Sequence, residues 1–189
     1  MQIRHHVLDN GLSVYLNENH EEPRISAQIV IRAGAARDPE EASGMAHYLE
    51  HMLANKGSQN LGTTNYHLEA PHLARIRALY DQLFTEDAPE KRAEIYKKID
   101  QEGLAAHQYV VPNELKQAYG LLGGRRLNAF TSQDQTTYVV DIPSNKLNQW
   151  AMLEGDRFSN PVFRSFQTEV ETVYEEKNRA LDNPGRRIY

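Results

Sequence analysis

The chain has 189 residues, enough for one domain with a substantial core and too few for two comfortable ones. Hydrophobic residues make up 40% and charged residues 25%, an ordinary globular profile, and 21 Lys and Arg against 26 Asp and Glu leave a formal charge of -5. That mild acidity argues against nucleic acid as the main partner, and no apolar run is long enough to span a membrane. There are no cysteines, which removes disulfides, thiolate nucleophiles and cysteine-ligated zinc, so any metal site has to use histidine and carboxylate. Met1 to Asn10 lacks the apolar core of a signal peptide. Both an exported or periplasmic and a cytoplasmic setting stay open for a soluble protein of bacterial type.

In chain order, Asp9-Asn10-Gly11 is a turn signal and Leu12 to Leu16 alternates like a strand. Arg24 to Ala33, rich in β-branched residues, is expected to form its antiparallel partner. Met45 to about Asn55 reads as a helix with Met45, Leu49, Met52 and Leu53 on its apolar side. Between Tyr66 and His107 two helical stripes, Leu73/Ile76/Leu79/Tyr80/Leu83 and Ala93/Tyr96/Ile99/Leu104, predict a helical hairpin with charged outer faces. A short helix follows Pro112-Asn113. Strands return at Leu127 to Thr131 and Thr137 to Ile142, and Ser144 opens a helix running to about Phe158. The last helix spans about Ser165 to Leu181, before the stop signal Asp182-Asn183-Pro184-Gly185. This order predicts an α+β fold with an antiparallel sheet packed by helices.

The chemistry concentrates in His47-Tyr48-Leu49-Glu50-His51. Residues four apart share a helix face, so His47 and His51 can grip one ion from a single rigid element. Glu50 lies on the same side, placed to take a proton from a metal-activated water. The order His-x-x-Glu-His reverses the commoner metalloprotease motif and is the inverzincin pattern. It arises by chance in roughly one sequence of this composition in thirty, so a third ligand is needed. On the last helix Glu169 and Glu176 are seven apart and project from one face, with Val173 between them. Glu176 is a candidate third ligand and Glu169 a hydrogen-bonding partner behind it; the alternative is a solvated acidic face.

These motifs resemble the pitrilysin (insulinase) family of zinc metallopeptidases, which includes insulin-degrading enzymes and the mitochondrial processing peptidase. Leu8-Asp9-Asn10-Gly11-Leu12 is similar to the family's opening strand and Arg32-Ala33-Gly34 to its second. Ser43 to Leu53 is similar to its catalytic helix, Leu127-Asn128-Ala129-Phe130-Thr131 to its Asn-Ala-x-Thr strand, and Glu169 to Glu176 to its third-ligand helix. The resemblance implies the metallohydrolase fold of the processing-peptidase type and one zinc ion held by His47, His51 and Glu176. It implies Glu50 as general base and Glu169 as the supporting acid. Asn128 and Ala129 would lie on an edge strand that binds an extended peptide or unfolded protein by strand addition. The reaction expected is endoproteolysis.

Two departures qualify this. The 124 residues between His51 and Glu176 exceed the family's usual interval by roughly fifty. The helical hairpin, about 60–111, accounts for the excess as an insertion within a single domain 1–189. His67, His72 and His107 lie in it, and their spacing makes no site. The chain also stops just past the ligand helix, whereas the family closes two related halves around its substrate. It is therefore expected to be truncated, to need a second half on the same chain or a separate subunit, and to cleave weakly or not at all alone. The runner-up reading is a non-catalytic, substrate-guiding partner of such a peptidase, against which the intact ligand set argues. A lyase of the S-ribosylhomocysteine type shares the motif but needs cysteine, and a closed structural zinc site would need a fourth protein ligand.

Overall fold

The structure is a computed structural model and describes residues 3–182. It opens with a β-hairpin, β1 (Ile3–Val7) against β2 (Ser13–Asn17), in antiparallel register from Ile3↔Asn17 to Val7↔Ser13. The turn has Gly11 at φ 85, the left-handed region that glycine enters freely, and the Asn10 side chain accepts from the Leu12 amide at 3.1 Å. β2 was expected to pair with the strand beginning at Arg24, and it does not. A short turn closes a local pair at small entropic cost, so β2 takes β1, which the mixed sequence Ile3-Arg4-His5-His6-Val7 does not announce as a strand.

The strand from Arg24, β3 (Arg24–Ile31), pairs instead with a segment more than a hundred residues away. Together with β4 (Arg125–Thr131) and β5 (Thr136–Pro143) it forms an antiparallel sheet of order β3-β5-β4. All eight residues of β3 find partners on β5, from Arg24↔Pro143 to Ile31↔Thr136. β5 is central and mostly buried, as its run Thr-Thr-Tyr-Val-Val allows. β3 and β4 are the edges.

Helices cover one face of this sheet. Ala27, Val140 and Ile142 pack with Leu115 and Tyr119 of the helix Glu114–Leu121, and Trp150 and Leu153 of the helix Leu147–Ser159 close over them. Six α-helices lie along the described residues: α1 is Met45–Asn55, α2 Tyr66–Thr85, α3 Pro89–His107, α4 Glu114–Leu121, α5 Leu147–Ser159 and α6 Phe166–Asp182. The expected class, an antiparallel sheet packed by helices, is the one observed. Beneath α1 the Glu154 carboxylate accepts close hydrogen bonds from Tyr119 and Arg157, and the Arg157 guanidinium lies 4.6 Å from the Tyr138 ring centre.

α2 and α3 form a hairpin around their own small core of Leu83, Ile95 and Ile99, with Leu79 and Tyr80 beside it. The Asn65 side chain caps α2, and Pro89 starts α3. The α3 stripe differs from the expected one. Ile95, Ile99 and Ala106 are buried, whereas Tyr96 and Leu104 are exposed. Both sets have helical spacing, and only the position of α2 decides which of them faces inward. Similarly, α1 buries Met52 and Glu50 but leaves Met45 and Leu49 exposed.

Candidate functional site

α1 begins where a remote carboxylate holds its first turn. The Asp38 side chain accepts from the Gly44 amide at 2.7 Å and the Ala46 amide at 2.8 Å, satisfying donors that a helix start leaves open. From that anchored helix His47 and His51 project together, their Nε2 atoms 3.1 Å apart. α6 crosses α1 and brings Glu176 Oε2 to 3.6 Å from His47 Nε2 and 3.5 Å from His51 Nε2. Glu50 joins the same cluster, with its carboxylate, His47 and His51 offering ligand atoms within 4.8 Å of one another.

Two carboxylates thus approach the imidazole pair, and their surroundings differ. Glu50 is buried, and its Oε2 accepts from the Thr131 hydroxyl of β4 at 2.6 Å. Glu176 is half exposed and, among the described residues, has contacts within ion-pair range only to the two histidines. Its freedom suits a ligand, and the restraint on Glu50 suits a group held beside a reacting atom.

Behind the histidines, His51 Nδ1 donates to Glu169 Oε1 at 2.8 Å, and Lys56 Nζ reaches Glu169 Oε2 at 2.6 Å. That bond places the His51 proton on Nδ1 and turns the Nε2 lone pair towards His47. Burial pushes the Glu169 pKa up, but the hydrogen bonds and charges of Lys56 and His51 outweigh it and hold the carboxyl below its ordinary range. Tyr48 moves the other way, raised by burial and by the nearby Glu169 charge, so its hydroxyl stays a donor to the Phe166 carbonyl at 3.2 Å.

The donor set fits a divalent metal ion. Two imidazole nitrogens facing each other at 3.1 Å need a proton or a cation between them. The triangle of His47 Nε2, His51 Nε2 and Glu176 Oε2 has edges of 3.1, 3.6 and 3.5 Å. A tetrahedral zinc site with bonds near 2.05 Å has ligand–ligand edges of about 3.3 Å.

The site opens into a cleft of about 1100 Å³ lined by His47, Glu50, His51 and Glu176 on one side and Leu127 to Thr131 on the other. Asn128 is exposed and Ala129 half-buried on β4, whose outer edge carries no strand among the described residues. Of the remaining histidines, His67 and His107 are exposed, and His72 Nδ1 contacts Glu102 Oε2 at 2.6 Å. Thr131 was passed over as a site residue, although it closes the Asn-Ala-x-Thr phrase. Lys56 carried no signal, because nothing in its spacing ties it to Glu169.

Residues 13–73 match the model of the insulinase family, peptidase family M16. No curated protein sequence matches the chain. Among solved structures, a protease from Helicobacter pylori aligns over 100% of this chain and 34% of its own, with 20% identity and a TM-score of 0.66. The first half of the periplasmic protease PqqL from Escherichia coli aligns over 98% of this chain and 31% of its own, with 20% identity and a TM-score of 0.63. Pitrilysin aligns over 85% of this chain and 12% of its own, with 20% identity and a TM-score of 0.52. The chain therefore spans about a third or less of these structures, and it shares the fold of their aligned parts. No helix among the described residues is long and apolar enough to cross a membrane.

Proposed function

We propose that the chain is the zinc-binding catalytic domain of a metalloendopeptidase, one domain over 1–189 with the helices of 60–111 inserted in it. The observation that carries this reading is the near-equilateral triangle of His47, His51 and Glu176, with Glu50 beside it on a separate support. A zinc ion held there would polarise a substrate carbonyl and acidify a water.

The chain's own groups supply the rest. Glu169 and Lys56 hold His51 in one tautomer and orientation. The Thr131 hydroxyl occupies Glu50 Oε2, which leaves Oε1 to take a proton from the attacking water and pass it to the leaving amine. β4, as an edge strand, offers main-chain donors and acceptors at Asn128 and Ala129 to an extended peptide. Main-chain pairing is indifferent to side chains, so the substrate class is unfolded protein or short peptides. A second peptidase half, on the same polypeptide or a separate subunit, would close the open side of the cleft.

The decisive test is Glu50→Gln in the full-length protein, read by peptide hydrolysis and bound zinc together. Hydrolysis should fall by about 10²- to 10⁴-fold while zinc stays bound. Hydrolysis that survives the substitution would remove Glu50 as base. A parent that binds zinc but hydrolyses nothing would favour the substrate-guiding partner role instead.

A further inference from the structure

Beneath the metal-binding site lies a buried ion pair that the proposed chemistry does not use. Arg164 is 2% exposed and Glu69 is fully buried, and they join the segment ahead of α6 to the first turn of α2. Every N–H of the guanidinium is engaged. Nε donates to Glu69 Oε1 at 2.7 Å, and Nη2 donates to Glu69 Oε2 at 2.9 Å and to the Ser58 carbonyl at 2.8 Å. Nη1 donates to the carbonyls of Lys56 at 2.7 Å and Leu61 at 3.1 Å. The loop 56–62 is wound around this fork so closely that a Cβ on Gly62 would sit 3.1 Å from Arg164 Nη1.

This clamp meets the site at both ends. The carbonyl of Lys56, the residue that follows α1 as its C-cap, is held by Arg164, and its side chain reaches Glu169, which orients His51. On the other side Ser165 adopts φ 50, an uncommon conformation for a non-glycine residue, to turn the chain from the inward-pointing Arg164 into α6. The first residue of α6, Phe166, packs edge-on against Tyr80 of α2, with ring centres 4.8 Å apart. Helix α2 of the hairpin therefore touches the first residue of α6 at Phe166 and the segment just ahead of it at Arg164. α6 carries Glu176, while both histidines sit on α1.

We propose that the α2–α3 hairpin is a strut for the metal site, with Glu69 and Arg164 as positioning residues that set the angle between α1 and α6 and so the reach of Glu176 to His47 and His51. The proposal rests on the zinc-peptidase reading for its ligand, but the mechanical part stands without the metal. An arginine fork whose five donors span two helix ends and a loop is a rigid three-way joint. Lysine in its place keeps the charge but cannot hold four carbonyl or carboxylate groups in one plane.

The test uses Arg164→Lys and Glu69→Gln in the whole chain, with Arg24→Lys as a control at a distant fork that holds Asp141. Zinc affinity is measured by chelator competition, and amide exchange over 166–182 is measured in the metal-free protein. Both variants should bind zinc about 10- to 100-fold more weakly and exchange faster in the first turns of α6, with the control unchanged. A folded variant whose zinc affinity and α6 exchange stay within about two-fold of the parent overturns the strut. If the parent itself fails to bind zinc through His47 and His51, the peptidase reading falls, and α6 exchange alone then decides the strut. Should both clamp variants fail to fold, Tyr80→Leu removes only the ring contact with Phe166, and α6 exchange unchanged in that variant would count against the proposal.

Discussion

At position 156 an aspartate joins α5 to the loop that follows α1. Its carboxylate accepts a close hydrogen bond from Ser58, and others from Asn60 at 2.7 Å and Asn160 at 3.1 Å. Burial raises its pKa, but these hydrogen bonds outweigh that and leave it below its ordinary value of 3.8. A carboxyl depressed on folding stabilises the folded state above its unfolded pKa, and that contribution is lost as pH falls through the folded value. Asp156→Asn should therefore lower the unfolding midpoint at pH 7, and the gap to the parent should close as pH drops below about 4. Chemical denaturation across pH 3 to 7 reads this directly, and a gap independent of pH would contradict it. Single residues of this kind were the least legible in the sequence. His47, Glu50 and His51 stand out because their spacing has a chemical meaning. Asp156, Arg164 and Glu69 are ordinary charged residues until their distant partners are known.

The elements themselves were far more readable. Helix α1 was expected over Met45 to Asn55 and spans those residues, and the last helix, expected over about Ser165 to Leu181, is described from Phe166 to Asp182, while Asn183, Pro184 and Gly185 of the expected stop signal lie outside the described residues. Which face of each helix turns inward was less so, because Met45, Leu49, Tyr96 and Leu104 are apolar and nonetheless exposed. One junction between elements yields a prediction. Gly34 precedes the 3-10 turn Ala35–Arg37, whose amides at Ala35 and Ala36 donate to the Ser132 and Gln133 carbonyls in the β4–β5 turn. A Cβ at Gly34 would lie 2.3 Å from the Ser132 carbonyl oxygen and 2.6 Å from the Gln135 amide, both backbone atoms that cannot swing aside. Gly34→Ala should lower stability by roughly 1–3 kcal/mol. Urea unfolding measures it, and an unchanged midpoint would mean that the turn relaxes freely.

For the molecule as a whole, the proposed zinc ligands sit on two helices, His47 and His51 on α1 and Glu176 on α6, so bound zinc should stabilise the fold through mass action. At free zinc about a hundredfold above its dissociation constant the gain is about 2.7 kcal/mol, or roughly 5–10 °C in melting temperature for a chain of this size. Scanning calorimetry should show that shift in the parent and lose most of it in Glu176→Ala. An equal shift in both would remove Glu176 from the ligand set.

The sequence by itself determined the local, periodic features of this protein. It defined the helices, all three strands of the sheet, the turn at Asn10-Gly11 and the paired histidines one helical turn apart, since each depends on neighbours within a few residues. Only the tertiary structure decided that β2 pairs with β1 while β3 crosses to β5, and that Thr131 restrains Glu50. It alone brought Glu176 to the histidines and wrapped loop 56–62 around Arg164. Such contacts join residues far apart in the chain, where spacing carries no information and shape alone selects the partner.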